Sequence, residues 1–169
     1  NGLGTMAQAD QAQEYYSKAY QMADQAGYTY EKVEPLRHFA FHALSQGNLD
    51  KALHDAKQAL ALREQTGFKP YLPLDHQLIS EILLQLGKLD EAESHASKAC
   101  TMANEMGYTR TVASTLIILG DIFAVGKKPI SKEQYETALV LAQRLQIPLL
   151  LSRVNECLER IGGRMPEAG

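Results

Sequence analysis

Residues 86–92 read LGKLDEA, and residues 46–52, 40 positions earlier, read QGNLDKA. A second pattern, glycine followed by an aromatic residue, recurs at the same spacing in Gly27-Tyr28, Gly67-Phe68 and Gly107-Tyr108. We call these recurring glycine-containing segments the joints of the repeat. Self-similarity at such a period is typical of repeat proteins, in which each unit buries its apolar face only against its neighbours. The repeat therefore predicts one elongated array in place of one or two ordinary globular domains.

Between these joints the apolar residues recur at steps of three and four, which is typical of amphipathic helices. In the first unit Pro35 stands near the start of the apolar stripe and Gly47 follows its end, as expected at helix boundaries. The segments after Gly47 and Gly87 carry small residues at matching positions: Ala52, Ala56, Ala59, Ala92, Ala96 and Ala99. Small residues at this spacing let two helices approach closely, so each unit is predicted to be a helical hairpin.

We expect about eight helices within residues 7–161: an orphan helix over 7–26, hairpins over 30–66, 70–106 and 109–146, and a terminal helix over 148–161. In the third unit the joint is one residue shorter, the first helix is predicted to stop at Gly126, and Ser131 to Gln134 form a capping box. Residues 1–6 are expected to be a frayed lead-in or an artificial edge, and residues 162–169 a flexible tail.

The orphan first helix has no hairpin partner within the sequence. This indicates either a fragment cut from a longer protein or a helix that caps the stack. Its Tyr16 and Tyr20 are expected to leave an apolar edge, which an upstream helix or self-association through the exposed ends of the stack would cover.

The arrangement resembles the tetratricopeptide repeat family in a lengthened, 40-residue form. The residues that carry the first-helix pattern are Leu116, Leu119-Gly120 and Phe123, and those that carry the second-helix pattern are Gly87, Leu89, Ala92, Ala96, Ala99 and Cys100. His76 and Ser80 depart from it, because the family prefers apolar residues there. The resemblance implies an all-α, right-handed superhelical solenoid of helix-turn-helix repeats.

The long repeats are also similar to the helical sensor regions of bacterial signalling proteins and of maltose-regulator-type transcriptional activators. There the repeats lie between a nucleotide-binding and a DNA-binding module and bind an inducer or a partner protein.

A row of positions lies beside the packed stripe of each first helix, at steps of four residues. In tetratricopeptide arrays the first helices line the concave face, so the resemblance implies that these positions line a groove for a ligand or partner. They are Arg37, Phe41, Ser45, Gln77, Glu81, Gln85, Ile117, Asp121 and Val125. Phe41 is an aromatic residue that lies outside the packed apolar stripe of its helix, and it could anchor a ligand or pack into the next unit. Arg37 could instead form an internal ion pair with Glu81.

Several kinds of chemistry are not indicated by the sequence. The net charge of −3 is small and spread along the chain, which argues against direct binding of nucleic acid. His38 and His42 have a spacing that suits a metal, but no third ligand accompanies them, so neither a metal nor another cofactor is predicted. No nucleophile elbow or phosphate-binding loop occurs, so no catalytic residue and no enzyme activity are predicted.

The longest apolar stretch, from Leu116 to Val125, is too short to span a membrane. Cys100 and Cys157 are expected to be reduced, packed thiols of a cytoplasmic protein.

Two functions remain open from the sequence. One is a non-enzymatic interaction module that binds a partner peptide or helix in the groove. The other is a regulatory sensor domain within a multidomain bacterial transcription or signalling regulator, which binds a small molecule or controls self-association.

Overall fold

In the computed structural model, which describes the backbone of residues 2–162 and the side chains of residues 11–162, the chain forms eight α-helices and no strand. The helices are α1 (Gly2–Ala26), α2 (Val33–Ser45), α3 (Leu49–Thr66), α4 (Leu72–Gln85), α5 (Leu89–Glu105), α6 (Thr109–Val125), α7 (Ser131–Leu145) and α8 (Pro148–Gly162). Single 3-10 turns, Tyr30–Lys32 and Lys69–Tyr71, precede α2 and α4.

Three helical hairpins, α2–α3, α4–α5 and α6–α7, stack in chain order into an all-α solenoid. Each second helix also packs against the first helix of the next unit, and α6 contacts both α4 and α8 directly. The alanines predicted for the hairpin faces have almost no exposed surface, and Ala96 and Ala99 have none. Close approach of small faces therefore builds the core, as the sequence predicts.

The ends of the chain differ in part from expectation. Helix α1 begins at Gly2, so the backbone of residues 2–6, which we expected to be frayed, is helical. Residue 1 and residues 163–169, most of the predicted tail, lie outside the described residues. Tyr16 and Tyr20 are half-buried: Tyr16 stacks on His38 with ring centroids 4.0 Å apart, and Tyr20 packs beside Phe39. Among the side chains of α1 that the structure describes, the large apolar ones that are exposed are Tyr15 and Met22.

Glycines close the helices at the repeated joints. Gly27, Gly47, Gly67, Gly87 and Gly107 all have φ between 70° and 73°, a left-handed conformation that side chains with a Cβ rarely adopt. In the third unit the corresponding residue is Lys127, with φ 55°, 40 positions after Gly87. The predicted stop at Gly126 is confirmed, because α6 ends at Val125 with Gly126 as its C-cap, but Gly126 has φ −74° and the left-handed residue is the next one.

Candidate functional site

Successive first helices place one residue each at an equivalent position, which follows from the repeat spacing of 40, 40 and 39 residues. We call these four residues, Phe41, Glu81, Asp121 and Arg160, the first-helix row. Contacts between α4 and α6 and between α6 and α8 bring three members onto adjacent helices. The row therefore runs across several repeats, as a ligand-binding surface would require.

Phe41 is the aromatic member of the row and lies at the surface. Its side chain is 48% exposed, and the guanidinium carbon of Arg37, one turn earlier on α2, lies 6.0 Å from its ring centroid. Nearly half of its surface is thus accessible to a ligand or partner, which is one of the two alternatives that the sequence leaves open for Phe41.

Arg37 forms its ion pair with Asp75, not with Glu81. The Arg37 Nε atom lies 3.3 Å from Asp75 Oδ1, and the carboxylate of Asp75 also accepts a hydrogen bond from Arg63 Nε at 2.5 Å. Both Asp75 and Arg63 are fully buried, and Arg63 Nη2 donates a further hydrogen bond to Glu34 at 2.8 Å. This ion-pair network joins α2, α3 and α4, so Arg37 helps to fix the first two units together.

The other predicted groove residues have different environments. Gln77 donates a hydrogen bond to Ser114 Oγ at 3.0 Å, which links α4 to α6, and Ser45 bonds to its own helix at the His42 carbonyl. Gln85 and Val125 are exposed near the ends of their helices. Ile117 has no exposed surface, because it is part of the core. It therefore does not line a groove in this structure, a correction to the sequence-based set.

Asp121 lies at the centre of a polar cluster formed by α6, α7 and α8. Its Oδ1 accepts hydrogen bonds from Tyr135 Oη at 2.7 Å and Arg160 Nη2 at 3.0 Å, while Arg153 Nη2 lies 3.6 Å from Oδ2. Burial, together with the Asp121 carboxylate, raises the pKa of Tyr135, so the phenol keeps its proton and acts as a donor. The Cys157 thiol lies beside Arg160 Nη2 at 2.9 Å, and burial raises its pKa as well.

A cleft of about 630 Å³ opens beside this cluster. Its polar side chains are those of Asp121, Lys127, Tyr135 and Arg160, and its apolar ones include Leu84, Val125 and Ile161. The volume falls within the range of small-molecule sites in proteins, about 300–1,000 Å³. The cleft therefore combines two cations with an apolar wall at the end of the first-helix row.

The sequence-based set missed Arg160 and Lys127. The signal for Arg160 was available, because it follows Asp121 by the shortened 39-residue spacing that also separates Gly107 from Gln146. Lys127 occupies a joint position that carries glycine in the two preceding units.

Histidines do not form a metal site in the described part of the chain. The described side chains, those of residues 11–162, contain no group of three or more His, Cys, Asp or Glu residues placed to hold a metal ion. His38 is engaged with Tyr16, whereas His76 and His95 contact each other, with their Nδ1 atoms 2.9 Å apart. Cys100 and Cys157 are both free thiols.

Comparisons with known proteins add no family assignment. No protein-family model matches the chain, and a search of curated proteins also gives no match. Within the described residues, no helix has both the length and the apolar character needed to cross a lipid bilayer.

Proposed function

We propose that this chain is a non-enzymatic interaction module of the tetratricopeptide type, and that its first-helix row binds a segment of a partner protein. The observation that carries the proposal is the exposed ring of Phe41 on a surface where successive first helices present equivalent side chains. Exposed aromatic residues next to a cation are frequent anchors of protein interfaces. The free thiols are consistent with a cytoplasmic location.

The charges along the row favour a partner with both apolar and polar groups. Glu81 has no hydrogen-bond or ion-pair partner among the residues that the structure describes, whereas Asp121 is already paired with Arg160. A ligand that crosses the row would therefore place an apolar side chain on Phe41 and a basic one beside Glu81, whose negative charge has no partner among the described residues. Asp121 and Arg160 would then set its register.

The test is a selection of 15-residue peptides from a phage-displayed library against the full chain. Selected peptides should bind the wild-type protein, and Phe41→Ala with Glu81→Ala should weaken that binding by at least tenfold. The control is Val140→Ala, because Val140 is 62% exposed on α7 and lies outside the row. Circular dichroism must show that all variants remain folded; equal binding by the double variant would contradict the proposal.

A regulatory sensor domain is the second candidate, and the cleft beside Asp121 is the observation that favours it. A cleft of this size in a solenoid gives a small molecule a place to bind without any contact to Phe41.

A further inference from the structure

Lys127 has a backbone conformation that its residue type disfavours. The equivalent joints of the first two units carry Gly47 and Gly87, each with φ 72°, whereas Lys127 has φ 55°. A residue with a Cβ is disfavoured in this left-handed region by steric contact with its own backbone, whereas glycine adopts it readily. Unfavourable backbone conformations of this kind concentrate at binding and catalytic sites. Gln146, with φ 52°, has the same conformation away from the cleft, so the function of Lys127 depends on the surroundings of its side chain and not on the backbone alone.

Lys127 belongs to the lining of the cleft. Among the described residues, no hydrogen bond or ion pair involves its ammonium group, whereas the neighbouring Lys128 is paired with Glu93. The carboxylate of Asp121, the acidic group in the cleft lining, is already neutralised by Arg160 and Arg153 and by the Tyr135 hydroxyl. The charge left unpaired in the cleft lining is therefore that of Lys127.

The acidic residues of α8 do not offset this charge inside the cleft. Glu156 and Glu159 line an adjoining hollow that shares Asp121 and Arg160 with the cleft, whereas the cleft lining itself contains neither glutamate. The remaining walls of the cleft are apolar, with Leu84, Ala124, Val125 and Ile161. An occupant must therefore carry an anionic group next to an apolar body.

We propose that this cleft is a binding site for a small amphipathic carboxylate, whose charged end contacts Lys127 and Arg160 and whose hydrocarbon part lies on Val125 and Ile161. Charge-assisted hydrogen bonds from the Lys127 ammonium and the Arg160 guanidinium hold the carboxylate. The unfavourable backbone conformation of Lys127 is kept because it makes this contact possible. The assignment rests on the sensor function proposed as the second candidate; Asp121 and Arg160 belong to both the cleft and the first-helix row, whereas Phe41 and Glu81 lie outside the cleft lining.

The test uses octanoate as the probe, titrated calorimetrically into the full chain, with octan-1-ol and inorganic phosphate as comparison ligands. Octanoate should bind more tightly than either, because octanol lacks the charge and phosphate lacks the apolar body. Equal binding of octanol and octanoate, or no binding of octanoate, would overturn the proposal.

Two glycine variants separate ligand binding from backbone strain. Lys127→Gly should raise the melting temperature, because glycine relieves the unfavourable φ, and should weaken octanoate binding by about tenfold or more. Gln146→Gly is the matched control, since Gln146 has φ 52° at the other kind of joint and does not line the cleft. It should raise the melting temperature and leave octanoate binding unchanged. Lys127→Asn, which also tolerates this conformation, should lose binding like the glycine variant; wild-type binding by both Lys127 variants would refute the site.

Discussion

Tyr135 and Gly120 form a matched pair across the α6–α7 hairpin: a Cβ atom at Gly120 would lie 2.4 Å from Cε1 of the Tyr135 ring. The preceding hairpins place Ala40 with Ala56 and Ser80 with Ala96 at the equivalent positions. The third unit has thus exchanged two small residues for one glycine and one large aromatic. This exchange lets the Tyr135 hydroxyl reach Asp121, at the centre of the polar cluster beside the cleft.

Gly120→Ala should destabilise the fold by about 1–3 kcal/mol, because the added methyl group overlaps a buried ring. Tyr135→Ala in the same chain should recover part of this loss, since the pair then resembles the first two hairpins. Urea denaturation of both single variants and the double variant measures the coupling. Additive losses would show that the two residues do not share one space.

Ala99→Phe should cost about 1–3 kcal/mol, because Ala99 is fully buried where α5 packs against its neighbours. Ser97→Phe, on the exposed side of the same helix, is the matched control and should change stability by less than about 0.5 kcal/mol. Thermal melting distinguishes them. An unchanged melting temperature for Ala99→Phe would mean that the inner face of α5 is assigned incorrectly.

Arg63→Ala should destabilise the protein by about 3–5 kcal/mol, because it removes a buried charge partner from Asp75. Lys57→Ala is the comparison: Lys57 pairs with Glu91 at the surface, 3.9 Å away, and its loss should cost less than about 1 kcal/mol. Chemical denaturation measures both. Similar small losses in the two variants would show that the buried network contributes little.

Stability should fall as the pH is lowered from about 6.5 towards 4. Burial, with added repulsion from His76 and from nearby Lys98 and Lys57, lowers the pKa of His95 to about 4, and burial also lowers that of His76. Because the unfolded chain binds these protons near pH 6.5 and the folded chain resists them, acid favours unfolding over this range.

The urea midpoint should therefore be lower at pH 5 than at pH 7. His76→Leu, which restores the residue found at Leu36 and Leu116, should reduce this difference, whereas substitution of the exposed His54 by Gln should preserve it. An identical pH dependence in His76→Leu would exclude the histidine pair as its cause.

Helix positions and hairpin faces could be predicted from the sequence because they depend on local signals that recur. The glycine joints and the alanine faces satisfy backbone and packing requirements of each unit separately. The burial of Ile117 could not be predicted in this way, because it depends on how neighbouring helices cover α6.

The buried charges could not be predicted from the sequence either, because arginine is almost never fully buried unless it is paired. Arg63 stands where the equivalent residues are Ala23 and Ala103, both buried, and Asp75 stands where they are Pro35 and Thr115. Their burial is explained by their pairing in space, because the Arg63 Nε atom lies 2.5 Å from Asp75 Oδ2 and each charge therefore has a partner. Alignment of the repeats can mark both positions as exceptions, but it cannot show that they meet.

The most direct test of the central claim is the footprint of a selected peptide on the chain, measured by backbone amide chemical shifts in nuclear magnetic resonance. The account predicts that the largest shifts occur around Phe41 and Glu81 and extend to Asp121, with little change on the exposed side of α7 around Val140. A footprint confined to the exposed sides of α3, α5 and α7, with no shift near Phe41, would contradict it.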